Sequence, residues 1–202
     1  LLIRTVRTLA RHYPFANQQL LLNFLGSHDT ERITTVLGGD GGDCSPNPVL
    51  ASKRLSPSAR ERAKKLLVCA YTLLAAMPGL PCIYYGDEIA MEGAHDPFNR
   101  RPFPPSGFSD GFSQNFAEVN AARQKYREYF ALPVVSARAV CNGCAEIVRG
   151  DGDKKLTAVS NAGPDALEYR AGRRAVDILK GTLYNDKVVI PGESTVLLIE
   201  GE

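Results

Sequence analysis

Apolar positions along the chain follow a helical period first and an alternating one later. In residues 1–12, Leu2, Val6 and Leu9 fall on one side of a helix and Arg4, Arg7 and Arg11 on the other. Tyr13-Pro14 ends that helix, because proline disfavours the helical region for the residue before it. Leu20 to Leu25 is a short apolar run closed by Gly26, which predicts a strand buried on both faces. A polar, glycine-rich loop is predicted from Gly38 to about Ser58. Its glycine spacing is wrong for a dinucleotide fingerprint, and no buried strand leads directly into a helix there. Ser56-Pro57-Ser58 then opens a long helix whose inward face carries Ala59, Ala63, Leu66, Leu67, Ala70, Leu73, Leu74 and Met77. Pro57 suits its first turn, where no backbone donor is needed, and Pro78-Gly79 stops it. Pro81 to Asp87 predicts a second buried strand, and Asn115–Ala131 a last helix with Phe116, Val119, Ala122, Tyr126 and Phe130 inward. Helix, strand, loop, helix, strand, with no hairpin signal between, predicts parallel βα units.

After Leu132-Pro133 the period changes. The stretches 145–149 and 156–160 flank Asp151-Gly152, a hairpin signal. The stretches 187–190 and 195–199 flank Pro191-Gly192-Glu193, which predicts a second hairpin. The final seventy or so residues therefore read as a small antiparallel domain.

Composition narrows the class. The 202 residues carry 24 Lys+Arg against 22 Asp+Glu, with 44% hydrophobic residues, as in ordinary globular proteins. Fifteen basic and twelve acidic residues fall in 1–132, so no basic face separates out to suggest a nucleic-acid partner. No apolar run reaches the ~18 residues of a membrane span, so no membrane partner is expected. Cys69 and Cys82 sit in apolar runs and are expected to be buried thiols. Cys141 and Cys144 have CxxC spacing, but a zinc site needs a second pair or histidines, and His12, His28 and His95 lie far off in sequence.

Chemistry in a parallel sheet gathers beyond the carboxyl ends of its strands. The first strand exits into Gly26-Ser27-His28-Asp29-Thr30-Glu31-Arg32, and the second into Gly86-Asp87-Glu88 and then His95-Asp96 and Asn99-Arg100-Arg101. The plainer alternative makes Asp29-Thr30 a helix N-cap with Glu31 in the first turn, and Arg100 and Arg101 solvated charges. Ser27 beside His28 is not a hydrolase triad, and no G-x-S-x-G elbow is present.

At these residues the chain resembles a known family. The stretch 24–32, Phe-Leu-Gly-Ser-His-Asp-Thr-Glu-Arg, is similar to the last conserved region of the α-amylase superfamily, glycoside hydrolase family 13. The stretch 78–88, Pro-Gly-Leu-Pro-Cys-Ile-Tyr-Tyr-Gly-Asp-Glu, resembles that family's eighth barrel strand and its exit. The stretch from Met91 to Pro104 resembles the neopullulanase and cyclomaltodextrinase branch, where Ser-His-Asp is common; Pro105 departs from the Trp often found there.

The resemblance implies an α/β plus β architecture. Residues 1–132 would be the C-terminal portion of a (β/α)8 TIM barrel, strands seven and eight with their helices. Residues 133–202 would be a small antiparallel β-sandwich domain. A full barrel needs about 250 residues, and the chain begins Leu1-Leu2-Ile3 without an initiator Met, so a segment of a longer product is expected. The activity implied is that of a retaining glycosidase on an α-glucan or maltooligosaccharide. Asp29 matches the family's transition-state-stabilising carboxylate and His28 the histidine donating to the same sugar. Asp96 and Arg100 match a pair that contacts the next glucose. Tyr84 and Tyr85 are expected to support the strand rather than stack on sugar. The nucleophile and acid/base lie upstream in the family, and Glu88 and Glu92 match positions without a catalytic role. No cofactor is expected, although a structural calcium in the full-length enzyme fits the family. Unpaired barrel edges point to self-association as a homo-oligomer, and a cytoplasmic rather than secreted location is expected. The alternative function is a non-catalytic carbohydrate-binding or interaction module.

Overall fold

A computed structural model describes residues 2–200, so Leu1 of the first predicted helix lies outside the described residues. The α/β part begins with α1 (Leu2–His12) and α2 (Phe15–Gln18), followed by β1 (Leu22–Phe24). Next come α3 (Ile33–Thr35), which runs on into a π turn at Val36–Asp40, then α4 (Asn47–Ser52) and α5 (Pro57–Ala76). β2 (Leu80–Cys82), α6 (Gln114–Lys125) and α7 (Arg127–Phe130) complete it. β1 and β2 pair in parallel, Leu22 opposite Leu80 and Phe24 opposite Cys82, as the order of elements predicts.

Four expectations are corrected here. The strands cover only Leu22–Phe24 and Leu80–Cys82, so most of 81–87 is not strand, and Leu22 and Phe24 are exposed rather than buried, because each strand has only one neighbour among the described residues. The loop after Gly38 contains α4, whose C-terminal carbonyls at Leu50 and Ala51 accept hydrogen bonds from Arg101. The last helix breaks at Tyr126, whose backbone leaves the helical region (φ −108°, ψ 32°), to give α6 and α7. Cys82 is half-buried, whereas Cys69 is buried as expected.

α5 starts where the sequence places it. Ser56 caps it by accepting from the Ala59 N–H at 3.3 Å, and Pro57 occupies the first turn. Its buried face packs on α6 through stacked Tyr71 and Phe116 rings, 4.2 Å between centroids. At Gly79 (φ +96°) the chain turns into β2, and a Cβ there would sit 2.3 Å from the Leu21 carbonyl oxygen.

The β part contains β3 (Val134–Cys141), β4 (Cys144–Asp151), β5 (Lys154–Asn161) and β6 (Leu167–Arg170), then β7 (Ala175–Asp177) and β8 (Thr182–Tyr184), and finally β9 (Lys187–Ile190) and β10 (Ser194–Glu200). The first predicted hairpin is β4–β5, turning at Gly152. The second is not a hairpin. β10 pairs with β5 and β7 in a six-stranded sheet ordered β3-β4-β5-β10-β7-β8, while β9 pairs with β6 in a separate ribbon. Val188, Ile190 and Tyr169 of the ribbon pack on Val159, Val196 and Leu198 of the sheet in one apolar cluster. Cys141 and Cys144 form a disulfide across the β3–β4 turn.

One core joins the two parts, running from Val6, Leu67, Tyr71 and Phe116 to Ile147, Leu156, Ala158 and Leu197. Arg149 of β4, fully buried, reinforces this junction. It donates to the carbonyls of Ala76 (3.3 Å) and Met77 (3.0 Å) at the end of α5 and to that of Leu132 (2.7 Å). Arg123 donates to the nearby Ala75 and Gly79 carbonyls. Two cations at the C-terminus of a 20-residue helix also complement its dipole. No helix among the described residues is long and apolar enough to cross a membrane.

Candidate active site

Parallel pairing of β1 and β2 sets their exits side by side, so the two motif-bearing segments meet. The first exit is a tight turn built by its own hydroxyls. Ser27 N–H donates to Thr30 Oγ1 at 3.0 Å, and Asp29 N–H to Ser27 Oγ at 3.2 Å. This turn presents His28 and Asp29 outward, with His28 Nε2 3.3 Å from Asp29 Oδ1 and both side chains mostly exposed. The helix-cap alternative fails. α3 begins only at Ile33, its cap position is Arg32 with no side-chain cap, and Glu31 instead accepts from the Gly42 N–H at 2.8 Å.

The second exit carries Asp96 and Arg100. Arg100 Nε lies 2.9 Å from Asp96 Oδ1 and also donates to the His28 carbonyl at 3.1 Å. Asn99 Nδ2 donates to the carbonyls of His28 and Thr30, each at 2.8 Å. The four site residues expected from sequence therefore lie on two loops stitched together at the His28 carbonyl. Arg101 is not a free solvated charge: it caps α4 and lies over the Phe98 ring.

Beneath the loops sits a buried layer that sequence reasoning missed. Arg32 is 1% exposed, and its guanidinium rests against both the Tyr84 and Tyr85 rings, 4.3 and 4.5 Å from their centroids, the rings meeting each other edge to face at 4.7 Å. It donates through Nε to the Asn99 carbonyl at 2.7 Å and through Nη1 to the Tyr85 carbonyl. Its backbone N–H donates to the Gly93 carbonyl at 3.0 Å. Tyr84 and Tyr85 thus both contact this cation, and Tyr85 also donates to the Arg101 carbonyl at 2.9 Å. Asp87 Oδ1 lies 3.6 Å from Arg32 Nη1. Burial raises the Asp87 pKa to about 7, outweighing the opposing pull of Arg32. Gly26 leaves the room for that carboxylate, since a Cβ there would approach Asp87 Oδ2 to 3.2 Å.

The signal for this layer was present but indirect. Arg32 and Asp87 both fall inside the family-like motifs, and a charge directly beyond an apolar strand is a candidate for burial with a partner. Among the described residues no group of three or more His, Cys, Asp or Glu side chains could hold a metal ion. The arrangement offers an exposed carboxylate and imidazole on a rigid turn, with an Arg–carboxylate pair beside them. Such a set can donate to and accept from the hydroxyls of a neutral, polyhydroxylated ligand.

Comparison with known proteins shows the family. The family described as alpha amylase, catalytic domain, matches residues 2–130. An amylopullulanase from Thermoanaerobacter thermohydrosulfuricus is 41% identical over 97 residues, 48% of this chain and 6% of that protein. Neopullulanase 2 from Thermoactinomyces vulgaris is 40% identical over 90 residues, 45% of this chain and 12% of that protein. The chain thus spans a small part of the length of these relatives. The solved cyclic α-maltosyl-(1→6)-maltose hydrolase of Arthrobacter globiformis superposes with a TM-score of 0.69 at 23% identity, covering 100% of this chain and 39% of that one.

Proposed function

Because the chain belongs to the alpha-amylase catalytic-domain family, we propose that it is the part of an α-glucan-active glycoside hydrolase that holds the sugar while chemistry is done by carboxylates from elsewhere in the protein. On this reading β1 and β2 are strands seven and eight of a (β/α)8 barrel ending near residue 132, and residues 133–202 are its appended β-domain. The substrate is an α-glucan or maltooligosaccharide. The observation that carries the reading is the joining of both strand exits at the His28 carbonyl, which fixes His28 and Asp29 relative to Asp96 and Arg100.

Retaining glycosidases use two carboxyl groups about 5–5.5 Å apart around an oxocarbenium-like transition state. Asp29 is assigned as a third carboxylate, binding hydroxyls of the reacting sugar. Hydrogen bonds that tighten as the ring flattens favour the transition state over bound substrate, which raises kcat. His28 donates to the same sugar. Asp96 and Arg100 hold the next glucose on the non-reducing side, their mutual ion pair keeping both heads oriented. The nucleophile and the acid/base are assigned to residues outside this chain.

The test is steady-state hydrolysis of maltooligosaccharides by the longer gene product that contains this segment. Asp29→Asn is expected to lower kcat/KM about 10²- to 10³-fold with an unchanged circular dichroism spectrum. The 202-residue polypeptide alone is expected to turn nothing over. Wild-type kcat/KM in the Asn variant would remove Asp29 from the site.

A further inference from the structure

The segments following β1 and β2 border a hollow of about 450 Å³, lined by Arg54, Arg60, Glu92, Arg101, Ser106 and Ser109 among others. None of its lining residues is among the four sugar-site residues. Arg54 precedes α5, Arg60 lies in the first turn of that helix, and the rest belong to the long segment after β2. The hollow therefore opens where a parallel α/β sheet gathers its ligands, past the carboxyl ends of the strands.

Its charges do not balance locally. Glu92 is engaged by Arg60 and by the Leu55 N–H at 2.7 Å. Asp110, also on the wall, is engaged by Lys64 at 2.9 Å and by the Phe112 N–H at 3.0 Å. Arg54 and Arg101 form no ion pair among the described residues. Arg54 donates through Nη1 alone, to the Ala51 and Lys53 carbonyls, and Arg101 through Nη2 alone, to those of Leu50 and Ala51. Nε and one Nη of each guanidinium are left for a ligand. Partial burial of Arg101, and then repulsion from Arg54, hold the Arg101 pKa below its ordinary value, so the two cations stand close enough to repel.

Two planar forks of donors around one hollow suit an anion with more than two acceptor oxygens. A carboxylate is satisfied by a single fork, whereas a tetrahedral phosphate accepts from two at once. The volume exceeds that of a phosphate alone and lies in the range of small-molecule sites, about 300–1,000 Å³. We propose that this hollow binds a phosphate group, as inorganic phosphate or as the monoester of a hexose, through Arg54 and Arg101, with the Ser106 and Ser109 hydroxyls beside them.

The test is calorimetric titration of the full chain with inorganic phosphate, glucose 6-phosphate and glucose. Both phosphates are expected to bind and glucose not to bind at this hollow. Equal affinities assign the site to free phosphate, and an affinity about tenfold higher for the ester assigns it to a phosphosugar. Arg54→Gln is expected to weaken phosphate binding about tenfold. Because Arg54 is exposed, that variant should keep its fold, and Arg54→Lys should restore part of the affinity. Absence of phosphate binding, or equal binding by wild type and Arg54→Gln, overturns the proposal. Neither result depends on hydrolysis, so the glycosidase reading stands or falls separately.

Discussion

Asp87 is the side chain whose state should report most directly on the layer under the candidate site. Its folded pKa is about 7 against an ordinary 3.8. Between those values the folded state retains a proton that the unfolded state has lost, so this group makes stability fall as pH rises from about 4 to about 7. Asp87→Asn is expected to flatten that decline, measured by urea denaturation across the window and compared with wild type. Asp43, held low by Lys53, and Asp110, held low by Lys64, act with the opposite sign in more acidic solution and are common to both proteins. Identical slopes for the two proteins would show that Asp87 is ionised in the fold. His28, Asp29, Asp96 and Arg100 were visible because the stretches that carry them resemble family motifs, lying on the segments that follow the two apolar strands. The sequence did not reveal Asn99 or Arg32 as their supports. Arg32 meets the Asn99 carbonyl across 67 positions of sequence, and such a partnership is set by how loops close rather than by any local pattern.

Among the elements, α5 was legible in nearly every detail, because cap, first-turn proline, apolar period and stop signal all agree. The β9–β10 pair was not. An alternating pattern tells which face of a strand is buried, not which strand lies beside it. Val188 and Ile190 meet Val196 and Leu198 in the cluster between ribbon and sheet, so the turn at Pro191 to Glu193 carries the chain from one layer to the other. What caps the last carbonyls of α5 was equally silent in sequence, since Arg149 reaches them from 72 positions away. Burial, and then repulsion from Arg123, lower the Arg149 pKa to about 9, which leaves it charged at neutral pH. Arg149→Met removes the charge but strands three carbonyl acceptors at Leu132, Ala76 and Met77. A loss of about 2–3 kcal/mol is expected, relief of Arg desolvation offsetting part of the broken hydrogen bonds. For a chain this size that lowers Tm by about 5–10 °C, readable by calorimetry. Arg149→Lys should recover only a fraction, because one ammonium cannot reproduce the planar fork. An unchanged Tm in the Met variant would mean that the apolar core alone holds the two parts together.

At the scale of the whole molecule, the β part and the outer helices share one buried core, while the β1–β2 pair stands apart from it. Leu22, Phe24 and Leu80 are 58, 55 and 54% exposed, and each strand has a free edge among the described residues. Apolar side chains beside unpaired backbone donors and acceptors are a template for association. Under the barrel reading, further strands and their interior layer would cover this surface in the longer gene product. The 202-residue polypeptide alone should therefore self-associate, giving sedimentation coefficients that rise with concentration and strong binding of an apolar dye. Phe24→Lys combined with Leu22→Lys should suppress that association, since lysine on an edge opposes strand pairing. In a longer product that closes the barrel, the same two substitutions should instead lower Tm, because they would place charge inside a packed barrel. The two measurements pull in opposite directions only if the surface is buried in one context and exposed in the other. A monomeric polypeptide at every concentration, or a longer product indifferent to both lysines, would show that β1 and β2 are not strands of a closed barrel.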